Sequence, residues 1–306
     1  MLRGAAAAEM RVVNATSLRL VANGLDYHLH QWAPNDAGAT RGVCVLLHGF
    51  QDAGSSFDGV APSLVSEGMR VIAPDLRGFG DTARVGQGGY YHFADYVFDV
   101  ADLVDQLSPE APIYLVGHSM GATVAALYAG SYPERVALLS LLEGVGPPSM
   151  GDELAPDRVR HWIDGVRRQR ARQEKPMTAE EATRRLAINH PNVPIEVIRT
   201  RARQLSRPAG DGSGLLVWSF DPLHRTTSPR VFRAAQWKAH AARITAPTLV
   251  VSGGSTGFHP EDEAERIAAI KNARAIEIAG AGHMMHWTKP VEVAEALASF
   301  VRENAG

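Results

Sequence analysis

Nothing constrains this 306-residue chain more than Tyr114-Leu-Val-Gly-His-Ser-Met-Gly-Ala122. An apolar run ends in Gly-x-Ser-x-Gly and passes at once into alanine-rich helical sequence. The order predicts a strand, a sharp turn and a helix. In such a turn the serine is strained and lifted clear of the sheet, and a side chain at Gly117 or Gly121 would strike the neighbouring strand or helix. The N–H of Met120 then opens a helix and can face a developing negative charge. Ser119 is the candidate nucleophile.

Apolar runs of strand length recur on either side. They lie at Gly42 to Leu47, Met69 to Pro74, Ile113 to Val116, Val136 to Leu142, Thr248 to Ser252 and Ala275 to Ile278. Runs without polar alternation belong to strands covered on both faces. Helical patterns near 56–67, 92–107, 119–131, 262–271 and 290–303 separate them, so an α/β fold with a mostly parallel sheet is expected. Ahead of these, Asn23-Gly24 divides two alternating runs, a hairpin signal. His28 and His30 share a face of the second run and read as solvent-facing. Ligands of a parallel sheet bind beyond the carboxyl ends of its strands, where each candidate group here falls.

Residues 146–240 break this rhythm. They open with Gly146-Pro-Pro148 and contain the capping box Thr178-Ala-Glu-Glu181 and a second helix start at Pro194. The expected organisation is a core of 1–145 and 241–306 with a helical lid at 146–240. Arginines outnumber acids in the lid, and Arg167, Arg168, Arg170 and Arg172 read as a solvated helix face. Composition is that of a globular protein, 45% hydrophobic and 21% charged, and a net charge of −2 gives no reason to expect nucleic acid. The one cysteine, Cys44, lies in an apolar run and reads as a buried structural thiol. That cysteine usage, a first stretch without a secretory pattern and the lack of a membrane-length run give the expectation of a cytoplasmic protein with no membrane partner and an irregular start. Its oligomeric state is not legible.

A serine hydroxyl needs a base, an acid and an oxyanion hole. His283, in Gly280-Ala-Gly-His283 after the last strand, is the candidate base, and His286 is its rival. The second oxyanion donor is expected from the N–H of Phe50, beyond the His48-Gly49 turn. Asp52 reads as a cap for the helix starting near Ser55. The pocket is expected to draw on Phe50, Met120, Met150, Trp162, Trp218, Trp237 and Met284.

His48-Gly-Phe-Gln-Asp52, Pro74-Asp-Leu-Arg-Gly-Phe-Gly-Asp81, Gly117-His-Ser-Met-Gly121 and Gly282-His283, in this order and spacing, resemble the α/β-hydrolase family over residues 17–303. The lid, with Trp218-Ser-Phe-Asp-Pro222, resembles its serine hydrolase-like branch. The family's commonest acid position, a Gly-x-x-Asp after the strand at 248–252, reads Gly253-Gly-Ser-Thr256 here. Some branches place the acid one strand earlier, and there this chain has Glu143. The resemblance therefore implies a Ser119–His283–Glu143 triad acting without cofactor or metal. The substrate would be a small molecule with an acyl group: an ester, thioester or lactone. A carbon–carbon bond hydrolase of vinylogous diketones, or a silent binding protein on the same fold, would be alternatives. Asp75 and Arg77 would shape a loop off the reaction path, and Glu261, Asp262 and Glu263 would open a helix.

Overall fold

A computed structural model describes residues 15–34 and 40–305. The strands are β1 (Thr16–Ala22), β2 (Leu25–Trp32), β3 (Gly42–Leu47), β4 (Met69–Pro74), β5 (Ile113–His118) and β6 (Val136–Leu142). There follow β7 (Ser206–Pro208), β8 (Leu216–Trp218), β9 (Thr248–Ser252) and β10 (Ala273–Glu277). Eight of them form one sheet in the order β1-β2-β4-β3-β5-β6-β9-β10. β1 and β2 run antiparallel to their neighbours, and β3 to β6, β9 and β10 pair in parallel. The first two make the expected hairpin, with Asn23 and Gly24 both at positive φ, as its tight turn requires.

The helices are α1 (Ala61–Ser66), α2 (Phe93–Leu107), α3 (Met120–Ser131), α4 (Ala155–Ala171), α5 (Ala179–Asn189) and α6 (Ile195–Gln204). The remainder are α7 (Ala234–Ala241), α8 (Glu263–Ala268), α9 (Met285–Thr288) and α10 (Pro290–Glu303). Helices cover both faces of the sheet, and the strand residues divide between them. Val43, Val45 and Leu47 pack with residues of α2, α3 and α7. Cys44 and Leu46, pointing the other way, pack with Leu64 of α1 and Leu297 of α10. The unbroken apolar runs are this two-sided burial read along the chain. Cys44 is fully buried, and burial raises its thiol pKa.

The chain reverses its direction of travel across the sheet at β3, with β4 on one side and β5 on the other. At such a reversal the loops leaving adjacent strands part and leave a crevice beyond their carboxyl ends. The loops after β3 and β5 carry Phe50 and Ser119. Over them lies the segment that leaves the core after β6, containing α4, α5, α6 and the small β7–β8 hairpin, which the sequence reading did not anticipate. Thr178 caps α5 by accepting from the N–H of Glu181, one half of the expected capping box. Leu186, Ile198 and Leu205 of this segment meet Ala53, Met284 and Trp287 of the core in a separate apolar cluster. Arg201 and Gln204 of α6 both reach Asp58, at 3.0 and 2.9 Å. The helix at 234–241, inside the range read as lid, packs on α3.

Candidate active site

The site is built from the carboxyl ends of four parallel strands. β5 ends at His118, and Ser119 follows with φ 53° and ψ −112°, a conformation that costs about 1–3 kcal/mol and persists only where its surroundings impose it. They do so here. The Ser119 N–H donates to Leu142 O at 2.9 Å, a Cβ on Gly117 would stand 2.4 Å from Gly121 O, and one on Gly121 would stand 2.2 Å from Leu47 O. The turn admits only glycine at both flanks.

His283 is carried beyond β10 by a loop tied to the end of β9, the Gly282 N–H donating to Gly253 O at 2.9 Å. From below, His118 Nε2–H donates to the His283 carbonyl at 2.7 Å. So held, His283 Nε2 lies 3.0 Å from Ser119 Oγ and Nδ1 lies 3.3 Å from Glu143 Oε2. Glu143 directly follows β6 with φ 51°, and its N–H donates to Val251 O at 2.9 Å. Its carboxylate also accepts from the backbone N–H groups of Gly253 and Phe258, each at 2.5 Å. Burial alone would raise the pKa of this side chain. The hydrogen bonds from His283, Gly253 and Phe258 reverse that and hold it below the ordinary glutamate value.

Met120 N–H opens α3, and Phe50 lies in the turn after β3. Neither N–H donates a hydrogen bond among the described residues, so both are available to an oxyanion. The Phe50 turn is braced from within: His48 Nδ1–H donates to Gly49 O at 2.7 Å while Nε2 accepts from the Leu76 N–H at 2.9 Å. That pairing fixes the neutral tautomer, and burial lowers the His48 pKa to match.

A cavity of about 710 Å³ opens over Ser119, the size of a small-molecule site. Of the side chains expected around it, Phe50, Met120, Trp218 and Met284 line its wall. Trp237 does not: it is buried among α3 and α7 in the core, 1% exposed. Trp162 stands one layer back, edge-on to Tyr90 at 5.4 Å, and Tyr90 forms the wall. Met150 is also behind it, its sulfur accepting from Arg158 at 3.1 Å. Polarity alone could not tell a cavity-facing tryptophan from a core one.

Three further readings are corrected. His286 is fully buried and faces away from Ser119, with Nε2 2.8 Å from Asp52 Oδ2. Asp52 therefore pairs with that imidazole and receives the N–H of Ala53 next to it; it caps no helix. His28 and His30 are not solvent-facing, because the loop after β4 folds back over β2 and brings Asp75 to both, at 2.9 and 3.3 Å. Asp75 accepts also from the N–H groups of Gly54 and Asp81, and Arg77 pairs with buried Asp99, so this corner is a hydrogen-bonded brace for the loop at 75–82. The local spacing of His28 and His30 holds no trace of Asp75, forty-five residues or more away in sequence.

Residues 44–296 match the alpha/beta hydrolase family. The chain belongs to that family. This alpha/beta hydrolase is 30% identical to a serine hydrolase-like protein of Dictyostelium discoideum over 126 residues, 41% of this chain and 34% of that one. It is 28% identical over 283 residues to a 3-hydroxybutyrate-oligomer hydrolase of Cupriavidus necator, covering 88% of this chain and 92% of the relative. Among solved structures it resembles the thioesterase domain from the curacin biosynthetic pathway, with a TM-score of 0.78 at 25% identity over 94% of this chain and 99% of that domain. The matches to the first serine hydrolase-like relatives span only 34% and 48% of those proteins. No helix among the described residues of this alpha/beta hydrolase is long and apolar enough to cross a membrane.

Proposed function

We propose that this protein is a serine hydrolase that cleaves a carboxylic ester, thioester or lactone through an acyl-enzyme, with Ser119, His283 and Glu143 as its triad. The observation that carries this reading is the unbroken line from Ser119 Oγ through His283 to Glu143, 3.0 and 3.3 Å per step, on the wall of the cavity. Ser119 Oγ attacks the acyl carbon and passes its proton to His283 Nε2. Glu143, accepting from Nδ1–H, keeps the imidazole in the tautomer that leaves Nε2 free and stabilises the imidazolium that forms. The carbonyl oxygen, now negative, receives the N–H groups of Phe50 and Met120. His283 then protonates the leaving group, and a water deprotonated by the same nitrogen releases the acid. The segment between β6 and α7 is the lid, restricting water and shaping the acyl site. Relatives named as a 3-hydroxybutyrate-oligomer hydrolase and a bifunctional esterase/perhydrolase support an acyl substrate.

The test is labelling with a serine-directed fluorophosphonate beside turnover of acyl esters, lactones and a ring-fission diketone. Labelling lost in Ser119→Ala, with ester or lactone hydrolysis lost alongside it, is the expected result. Labelling that survives in Ser119→Ala, or turnover confined to the diketone, would refute the reading.

A further inference from the structure

Two arginines of the lid segment reach the wall of the cavity over Ser119, Arg185 of α5 and Arg225 of the turn at Pro222–Arg225. Their surroundings differ. Arg185 forms an ion pair with Glu181 one helical turn earlier and lies 3.6 Å from Met177 Sδ. Arg225 makes no hydrogen bond or ion pair among the described residues; its guanidinium lies over the Phe220 ring, 5.0 Å from the centroid. Although Arg225 is exposed, loss of solvent on its protein-facing side and then the positive charges of Arg172 and Arg185 push its pKa below the ordinary arginine value. The nearby carboxylate of Glu174 is taken by Arg84 at 3.3 Å.

Arg225 is exposed to solvent on the cavity wall and has no acid partner among the described residues, so its charge is free for an anion, and its planar fork of donors suits a carboxylate. Beside the main cavity lies a recess of about 60 Å³, bordered by Arg172, Lys175, Arg185 and Arg225 and by one acid, Glu174, and sharing Trp218 and Phe220 with the cavity. That is about the volume of two waters, room for a carboxylate.

We propose that Arg225 forms an anion subsite at the lid end of the cavity, so that the substrate presented to Ser119 carries a carboxylate at the end remote from its acyl bond. The apolar stretch between, past Trp218 and Phe220, takes a hydrocarbon spacer. The substrate class is thus an ω-carboxylated acyl compound rather than a neutral lipid ester. This assignment rests on the reading of Ser119 as the reacting group.

Two probes separate the subsite from the chemistry. Monomethyl suberate and dimethyl suberate share one methyl ester and the same spacer and differ at the other end, a carboxylate in the first and its neutral methyl ester in the second. Calorimetric titration of each into Ser119→Ala reads binding without turnover. The monoanion should bind about tenfold or more tightly than the neutral diester, the range of one charge-assisted fork. Adding Arg225→Gln should bring the ratio towards unity, Arg225→Lys should keep part of it, and salt should weaken it. Equal binding of the two esters, or a preference that survives Arg225→Gln with the melting temperature unchanged, would overturn the subsite. Preferential binding of the monoester with no hydrolysis of either compound by the wild type would sustain the subsite while counting against the ester-hydrolase reading.

Discussion

The carboxylate of Glu143 occupies the space in which residue 257 would otherwise carry a side chain: a Cβ on Gly257 would stand 2.5 Å from Oε1 and 2.7 Å from Oε2. The loop after β9, where the family's commonest pattern puts its acid, here receives the carboxylate of a residue that follows the neighbouring strand β6. Its backbone N–H groups at Gly253 and Phe258 grip the two oxygens, and Thr256 contributes no carboxylate.

Removing the charge of Glu143 while keeping its shape should abolish most of the activity. Glu143→Gln is expected to lower kcat on the order of a thousandfold or more, since the imidazolium loses its partner. It should also cost about 1–3 kcal/mol of stability, because the amide NH₂ must face a backbone N–H now served by an oxygen. Asp262→Asn should alter kcat by no more than a few fold, since Asp262 pairs with Arg266 at 2.7 Å. Equal loss in the two variants would remove Glu143 from the triad.

Gly257→Ala should displace the same carboxylate by steric contact. Lower turnover, by about tenfold or more, with substrate affinity largely kept is the expected pattern, since the change falls on the acid and leaves the oxyanion donors in place. Gly86→Ala, where a Cβ meets nothing within 4 Å, is the control and should match the wild type. Indistinguishable kinetics for the two would show that the loop yields freely.

His283 and His286 should separate cleanly. His283→Ala is expected to retain the fold and lose the reaction by about a thousandfold or more. His286→Ala leaves the buried Asp52 carboxylate without its imidazole and should cost about 3–5 kcal/mol of stability, with kcat of the folded fraction within about tenfold of wild type. Chemical denaturation and steady-state rates on one preparation distinguish the two, and an intact, inactive His286→Ala would reopen the choice of base.

His224 offers a pH test. It is stacked between Phe79 and Tyr91, at 4.0 and 3.9 Å between ring centres, and burial lowers its pKa to about 3. A histidine whose folded pKa lies below its unfolded value takes up its proton more readily in the unfolded chain, so stability is lost as pH falls below about 6.5. The contribution is about 1.4 kcal/mol per pH unit between there and the folded value. His224→Phe should therefore lose stability less steeply than the wild type between pH 6 and 4.5. Parallel slopes would show that His224 does not remain neutral there.

Much of this molecule is written locally. The strand, turn and helix around Ser119 are legible because the turn's sterics act over five residues, admitting glycine at 117 and 121. Five of the six parallel strands are legible because burial on both faces leaves apolar runs; β10, at the sheet edge, has no buried residue and is not the doubly covered strand expected there, while the hairpin is legible because Asn23-Gly24 suits its turn. Even the carboxylate that meets His283 is visible in the sequence, at Glu143, with none at Thr256. What tertiary structure alone decided are the relations between distant segments: Asp75 brought to His28 and His30, Asp52 to His286, Trp237 turned into the core and Arg225 left facing the cavity without a partner. The physical reason is that backbone conformation and two-sided burial are imposed within a few residues. A side chain's partner, by contrast, is chosen by the crossing of strands and loops far apart in sequence, and short-range patterning carries no information about it.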